Sequence, residues 1–385
     1  MEELRADFGG ARVLGTGVGP LLEKFDDVTR IAVLRGGGLG DLLFALPAVS
    51  ALKAAYPQAA VTLLGTPVHV QLVSGTLNPF EAVRVLPFAE GVRPGPEDPK
   101  ALETFFADLR RERFDLAVQL HGGGRYSNPF LLGLGARHTV GTRTPDAAPL
   151  ERTVPYVYYQ HEPLRGLEVA GFAGAPPVDL EARLRPLERF AAAAAEFVDP
   201  LSNGLVVIHP GATDPRRRWP VARFGEVAAA CAADGCQVLV VGDASEGQLA
   251  SEVVDRATGS GSPRNISSMA GRLDLGTLAA LLARCDVMVG NDSGPRHLAQ
   301  ALGTPTVGVY WVGNLINAGA LGRTLHRVHL SWVTRCPECG VDLTQVGWTA
   351  ERCAHDDSMV AGVRADDVYE DVLALRAMSP LPHGK

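Results

Sequence analysis

Between residues 30 and 310, short apolar runs bounded by Gly, Pro or Asp alternate with amphipathic stretches, and this alternation constrains the fold more than any other property of the chain. A strand buried on both faces reads as a continuous apolar run. The helix that leads to its parallel neighbour reads as amphipathic. On this reading RIAVLR (30–35), AVTLLG (60–65) and FDLAVQLHG (114–122) are strands, with the helical DLLFALPAVSALKAAYP, carrying Pro47 inside it, and ALETFFADLRRER among them. An alanine-rich stretch running into a Pro/Ser/Asn/Gly turn at 187–204 separates a second series, with strands at 205–209, 237–242, 286–290 and 305–311 and helices at 221–233, 246–257, 274–285 and 294–302. The expected fold class is α/β, with two Rossmann-like domains, 1–195 and 204–360, and a closing helix at about 364–377 in the segment 361–385 that packs across the lobes. Two such parallel sheets facing a central cleft take their ligands beyond the carboxyl ends of the strands.

Charge and composition narrow the function. The net charge of −7 argues against a nucleic-acid binder, which needs a basic face to neutralise phosphates, so any anion site must be local. The first ten residues, MEELRADFGG, lack the basic start and apolar run of a secretory signal. Neither they nor any later segment approaches the length of a spanning helix, and a cytoplasmic location is expected. Six cysteines in 385 residues are too sparse for a disulfide scaffold, in keeping with a reducing compartment.

Three strand-to-helix turns carry chemistry. RGGGLGDLLFALP (35–47) places four glycines in five positions and then Asp41 at the mouth of a helix. A dinucleotide fingerprint starting at Gly36 would need a third glycine where Asp41 stands, and the acidic ribose-binding residue is missing after the second strand, which ends Leu64-Gly65-Thr66. Walker A fails as well, for want of Lys-Ser or Lys-Thr. Asp41 has two readings: a cap on free N–H groups, or a carboxylate kept ionised by the helix dipole beside room for a sugar, able to take a proton from an attacking hydroxyl. In HPGATDPRRRWP (209–220), Arg216, Arg217 and Arg218 form a positive spot beside a strand end, fixed by Trp219 and Pro220; the alternative is a solvated basic run. In VGNDSGPRHLAQALGTPTVGVY (289–310), Ser293 and Gly294 open a helix whose free N–H groups suit phosphate oxygens, His297 follows one turn in, and Asp292 serves the ligand or merely caps.

These three motifs together resemble glycosyltransferase family 9, the ADP-heptose:lipopolysaccharide heptosyltransferases, in order over about residues 30–375. The resemblance implies a GT-B fold with acceptor bound mainly by the first domain and nucleotide sugar by the second. It also implies an inverting transfer with no cofactor and no catalytic metal. By position it makes Asp41 the general base, with Gly38 and Gly40 shaping the acceptor side. Thr213 and Arg217 match residues that hold the donor diphosphate, with Arg218 beside them, and Glu246 matches an acidic residue near the donor ribose. Asp292, Ser293, Gly294 and His297 match the heptose and phosphate site. The family has lysine where this chain has Arg217, a planar fork in place of a point charge.

The implied partners are a nucleotide-sugar donor, ADP-heptose first among them, and a saccharide or glycosylated acceptor, with peripheral membrane contact if that acceptor is lipid-linked. Two other functions fit the same architecture: a nucleotide-sugar epimerase and a non-catalytic nucleotide-sugar-binding protein. The acceptor surface falls in irregular segments, HGGGRYSNP (121–129) and 141–165, where Arg125, Tyr126 and Asn128 either touch a sugar or shape a loop. Finally, RCPECGVDLTQVGWTAERCAHDD (335–357) supplies Cys336, Cys339, Cys353 and His355, a zinc-ligand composition whose alternative is a buried or redox-active loop.

Overall fold

The computed structural model describes residues 14–15, 18–259, 265–345 and 352–378. They form two compact units. The first runs to Val73 and from Asn78 to Arg183; the second takes Ser74–Leu77 and continues from Leu184. Ser74–Leu77 joins the second unit because Thr76–Leu77 pairs antiparallel with Arg185–Pro186. The alanine-rich stretch that follows is a short 3-10 turn, Glu188–Phe190, and one helical turn, Ala191–Ala195.

In the first unit the elements are β1 (Arg30–Leu34), α1 (Leu39–Ala55), β2 (Ala60–Gly65), α2 (Pro67–Gly75, whose last two residues fall in the second unit), β3 (Ala82–Val85), α3 (Pro99–Glu112), β4 (Leu116–Gln119), α4 (Ser127–Leu132), β5 (His138–Arg143), β6 (Arg152–Pro155) and α5 (Glu162–Phe172). The six strands form one parallel sheet in the order β3-β2-β1-β4-β5-β6. β1, β2 and β4 are buried almost throughout, as strands covered by helices on both faces must be. Helix α1 is apolar nearly all round, with Leu42, Leu43, Leu46, Val49 and Leu52 buried, which marks a helix enclosed by its neighbours. One of those neighbours is α5, and at Gly166 a Cβ would come within 3.3 Å of Ala48.

The second unit repeats the plan with β7 (Leu205–His209), α6 (Val221–Ala233), β8 (Gln237–Val240), α7 (Gly247–Thr258), β9 (Ile266–Ser268), α8 (Leu275–Leu282), β10 (Val287–Asn291), α9 (Gly294–Ala301), β11 (Thr306–Trp311), α10 (Val312–Ala318), β12 (His326–Ser331) and α11 (Ala365–Met378). Its parallel sheet runs β9-β8-β7-β10-β11-β12. Phe224, Val227, Ala228 and Cys231 of α6 recur at the i, i+3, i+4, i+7 spacing of one helix face and are buried in the core. Trp219 and Phe224 meet edge to face at 4.9 Å. Helix α11 belongs to this core: Val368, Val372 and Leu375 are fully buried, and the helix packs on α6, β10 and β11. Among the described residues no helix is long and apolar enough to cross a membrane.

Both sheets therefore show the doubly wound strand order in which the direction of winding reverses between the first and fourth strands, the place where such folds bind ligands. In the first unit that point lies between β1 and β4. In the second it lies between β7 and β10. All three chemistry-bearing turns of the sequence leave a strand at one of these points.

Candidate functional site

In the first unit the loop after β1 is built around Asp41. Gly37 has φ of 86°, in the left-handed region, and a Cβ there would collide with the Asp41 carboxylate, so the glycine is required twice over. Asp41 Oδ2 accepts the Gly38 N–H at 2.8 Å, which is the capping role. Its other oxygen, Oδ1, is 2.8 Å from Arg35 Nη2. The Arg35 side chain is 7% exposed, whereas that of Asp41 is 45% exposed: the acid is anchored from below and open from above.

Arg35 is itself fixed by Leu120 O, at the end of β4, and lies 3.5 Å from Glu162 Oε2 on α5. Glu162 in turn pairs with Arg165, which donates to Val157 O at 2.6 Å and covers the Tyr156 ring at 4.4 Å. A charge-alternating chain, Arg165–Glu162–Arg35–Asp41, thus runs from α5 to the glycine loop, and a pocket lined by Arg35, Phe44, Leu120, Thr142, Glu162 and Arg165 opens beside it. Two histidines complete the setting. His69 Nδ1 accepts the Thr66 N–H at 3.1 Å, so its Nε2–H donates to Gly38 O at 2.8 Å, and burial lowers its pKa. Burial and the Arg35 guanidinium push His121 down to about 4, against the pull of Asp41.

None of Arg35, His69, His121, Glu162 or Arg165 stands out in the sequence as a site residue. The one signal is Arg35 itself, a cation at the end of a fully buried strand, which must have a partner. Gly40 lies in the first turn of α1. Of the acceptor-side candidates, Asn128 is fully buried and donates to Thr142 O and Ala148 O at 3.1 and 2.9 Å, so it shapes the loop. Tyr126 is exposed, with the Arg125 guanidinium 5.2 Å from its ring centroid.

In the second unit Asn291, the last residue of β10, holds two loops together. It accepts the Trp219 N–H at 2.9 Å and donates to Pro210 O at 2.8 Å. The three arginines of the basic run separate. Arg216 is buried and forks onto Asp214, with Nη2 at 2.6 Å; Arg218 Nε donates to Ala212 O at 2.8 Å; Arg217 Nη1 reaches Asp292 Oδ2 at 3.0 Å and is 26% exposed. Asp292 gives its second oxygen to His297 Nε2–H at 2.8 Å, and Arg296 Nη2 donates to His297 Nδ1 at 2.6 Å, which fixes the neutral tautomer. Burial pushes the Asp292 pKa up, but the His297 hydrogen bond and the Arg217 and Arg296 charges bring it to about 2. Burial and the Arg296 charge push His297 down to about 4. Asp292 is thus an ionised anchor for Arg217 and His297, with both oxygens engaged inside the protein.

On the other side of β7, His209 bridges Glu246 and Ser293: Nε2 lies 3.1 Å from Glu246 Oε2 and Nδ1 lies 3.0 Å from Ser293 Oγ. Burial raises the Glu246 pKa, but His209 and the Asp243 N–H outweigh it and keep the carboxylate below its ordinary range. Glu246 sits over Gly211, where a Cβ would overlap Oε1, and over Gly242, where it would lie 2.9 Å from Oε2. Ser293 is the N-cap of α9 and Gly294 its first residue, so the free N–H groups of that helix point out beside Ser293. Thr213 is exposed on the loop between His209 and Arg217. Glu246, Ser293, Gly294 and the Arg217 loop are therefore gathered at the carboxyl ends of β7, β8 and β10. His209, absent from the sequence-based candidates, is the residue that joins two of them.

The model of glycosyltransferase family 9 (heptosyltransferase) matches residues 103–338. The chain is 24% identical over 287 residues to the lipopolysaccharide core heptosyltransferase OpsX of Haemophilus influenzae, covering 73% of this chain and 78% of that protein. It is 34% identical over 107 residues to lipopolysaccharide heptosyltransferase 2 of Salmonella typhimurium, covering 28% and 30%. The E. coli ADP-heptose lps heptosyltransferase II structure superposes with a TM-score of 0.70 at 20% identity over 91% of this chain and 99% of that one. Two Rossmann-like α/β domains with parallel sheets, the GT-B fold, are what the chain shares with it.

Proposed function

Starting from the fact that the chain belongs to glycosyltransferase family 9, we propose that it transfers a sugar, heptose from ADP-heptose first, to an acceptor hydroxyl with inversion and without a catalytic metal. Asp41 is the general base. It takes the hydroxyl proton as the acceptor oxygen attacks the anomeric carbon from the face opposite the diphosphate; the bond from that carbon to the diphosphate oxygen breaks, and its electron pair leaves with the nucleotide. The developing charge on the leaving group is met by Arg217, held by Asp292, by the N–H groups at the start of α9, and by Thr213 on the loop before Arg217. Glu246, held ionised by His209, accepts hydrogen bonds from ribose hydroxyls. Arg218 and His297 complete the donor side, His297 by holding Asp292 and through it Arg217.

The observation that carries this reading is an aspartate fixed by two hydrogen bonds of 2.8 Å yet 45% exposed, since a base must be both oriented and reachable. The relatives named as lipopolysaccharide heptosyltransferases support a lipopolysaccharide-type saccharide acceptor. A lipid-linked acceptor calls for peripheral membrane contact by a cytoplasmic enzyme. The test begins with thermal stabilisation by ADP, UDP and GDP, and ADP is expected to stabilise most. Transfer from ADP-heptose to a lipopolysaccharide-core acceptor should then fall by about 100-fold or more in Asp41→Asn, with ADP binding unchanged. Near-normal turnover in that variant removes Asp41 from the role, and conversion of donor with no acceptor present overturns transfer in favour of epimerisation.

A further inference from the structure

The cysteine-rich segment takes no part in the chemistry above, yet the fold brings its ligand-type side chains to one point. Cys336 and Cys339 stand on a tight turn in which Gly340, with φ of 71°, donates to Cys336 O at 2.9 Å. Cys353 and His355 arrive from later in the chain. The three Sγ atoms and one ring nitrogen all lie within 4.8 Å of one another, and Cys336 Sγ is 3.6 Å from His355 Nδ1. A tetrahedral ion with metal–sulfur bonds of about 2.3 Å and metal–nitrogen bonds of about 2.0 Å spaces its ligand atoms roughly 3.5–3.8 Å apart. The Cys336–His355 separation already matches, and the 4.8 Å bound leaves no pair more than about 1 Å beyond the spacing of its ligand atoms.

The local core is too small to hold this excursion by itself. Cys336, Leu343 and Met359 are its buried members, with Trp311, Val333, Val341 and Cys353 partly buried against them. Small folds short of apolar burial commonly rely on a metal or a disulfide, and all three thiols are free. We propose that Cys336, Cys339, Cys353 and His355 bind one thiophilic metal ion, zinc or iron, in a closed tetrahedral site. Four protein ligands leave no open position, so the ion is structural.

What it stabilises is visible in the contacts of the same segment. Met359 N–H donates to Arg216 O at 2.8 Å, Ser358 Oγ to Arg218 O at 2.6 Å, and Arg352 Nη2 lies 3.6 Å from Asp214. Ser331 Oγ, at the end of β12, holds Met359 O at 2.5 Å. The metal-bound segment thus backs the loop that carries Arg217. Its effect on nucleotide affinity rests on the proposed donor role of that loop; the metal site itself does not.

The test uses the full chain, expressed without a histidine tag and purified without chelator under reducing conditions. Elemental analysis is expected to find about one zinc or iron per chain, and to say which. Protein reconstituted with cobalt should show thiolate-to-metal charge transfer and tetrahedral visible bands. Cys339→Ala, at the exposed ligand, and Cys353→Ala should each weaken metal affinity by about tenfold or more, and circular dichroism checks that both remain folded. Metal removal should lower the thermal midpoint and weaken ADP binding several-fold, while Asp41→Asn retains full metal content. Less than about a tenth of an equivalent of metal in the wild type, or a cobalt spectrum without thiolate bands, overturns the site. Stoichiometric metal whose removal leaves ADP affinity unchanged overturns the loop-holding role.

Discussion

Arg35 shows how a buried residue can orient the exposed carboxylate proposed as the base. Its guanidinium presents separate nitrogens to Asp41 on one side and to Leu120 O and Glu162 on the other, a fork that lysine cannot reproduce. Arg35→Met should cut turnover by about 10- to 100-fold through misplacement of the base, with ADP affinity unchanged and Arg35→Lys recovering only part of the loss. A variant with intact turnover, measured under saturating donor and acceptor, would show that Asp41 orients itself. The turns that carry Asp41 and the basic run 216–218 are legible in the sequence because their residue types announce them, whereas Glu246 and the choice of Arg217 come only from the family resemblance. Arg35, Glu162 and Arg165 are not legible, since Glu162 meets Arg35 across 127 positions and only the fold supplies that contact. Titration follows the same logic. His297 is held neutral, with a folded pKa of about 4 against 6.5 for a free histidine, so the unfolded chain binds its proton first as pH falls. Stability should therefore be complete above pH 6.5 and decline toward pH 4, by an amount of order 1–3 kcal/mol for this group. Asp292 adds a second loss below its ordinary value of 3.8, as pH falls toward about 2. Urea unfolding at pH 7 and pH 4.5 measures the first window, to which His121 and His69, also lowered, contribute; His297→Gln, which keeps a donor toward Asp292 but cannot titrate, should remove its share and leave theirs. An unchanged slope in that variant would assign the proton uptake elsewhere.

Among the elements, those covered on both sides were the readable ones. β2 matches its apolar run AVTLLG residue for residue, and α6 and the start of α9 coincide with their expected positions. β3, β6, β9 and β12, the outermost strands of the two sheets, carry no continuous apolar run: AVRV is half exposed, and HRVHLS brings two histidines and an arginine. Outer strands bury less surface, so their composition is less constrained and their signal fades. The turns that end the central strands are different, because there a missing side chain has a use. Gly211, just after β7, provides the seat of Glu246. Alanine there must displace the end of a flexible side chain, which costs the fold little but removes the carboxylate from His209. Gly211→Ala should therefore weaken ADP binding by about tenfold, or 1.4 kcal/mol, with a nearly unchanged thermal midpoint, and should match Glu246→Ala in calorimetry. Wild-type affinity in Gly211→Ala would separate Glu246 from the nucleotide.

At the scale of the molecule, the sequence shows two successive series of βα units but not the order of strands within either sheet, because parallel pairing joins segments distant along the chain. β1 lies between β2 and β4, and β7 between β8 and β10, and this order brings the glycine loop beside the end of β4 and Ser293 beside His209. The closing helix raises a related question, since an amphipathic segment at the end of a sequence does not say which core it completes. The structure puts Val368, Val372 and Leu375 of α11 in the core of the second unit, while Trp219 Nε1 donates to Val363 O at 3.0 Å just before the helix starts. Burying three aliphatic side chains contributes about 5–9 kcal/mol, comparable with the whole stability of an ordinary domain. A chain ending at residue 363 should thus lose the cooperative fold of the second unit and its thermal shift with ADP. The first unit, whose core contains no residue of α11, should keep its slow hydrogen exchange in β1, β2 and β4. The milder Leu375→Ala should lower stability by about 2–5 kcal/mol and leave ADP affinity intact in the folded fraction. If the truncated chain still responded to ADP, the donor loops would have to stand without the helix behind them, and the second unit's core would have to close without its last three aliphatic members.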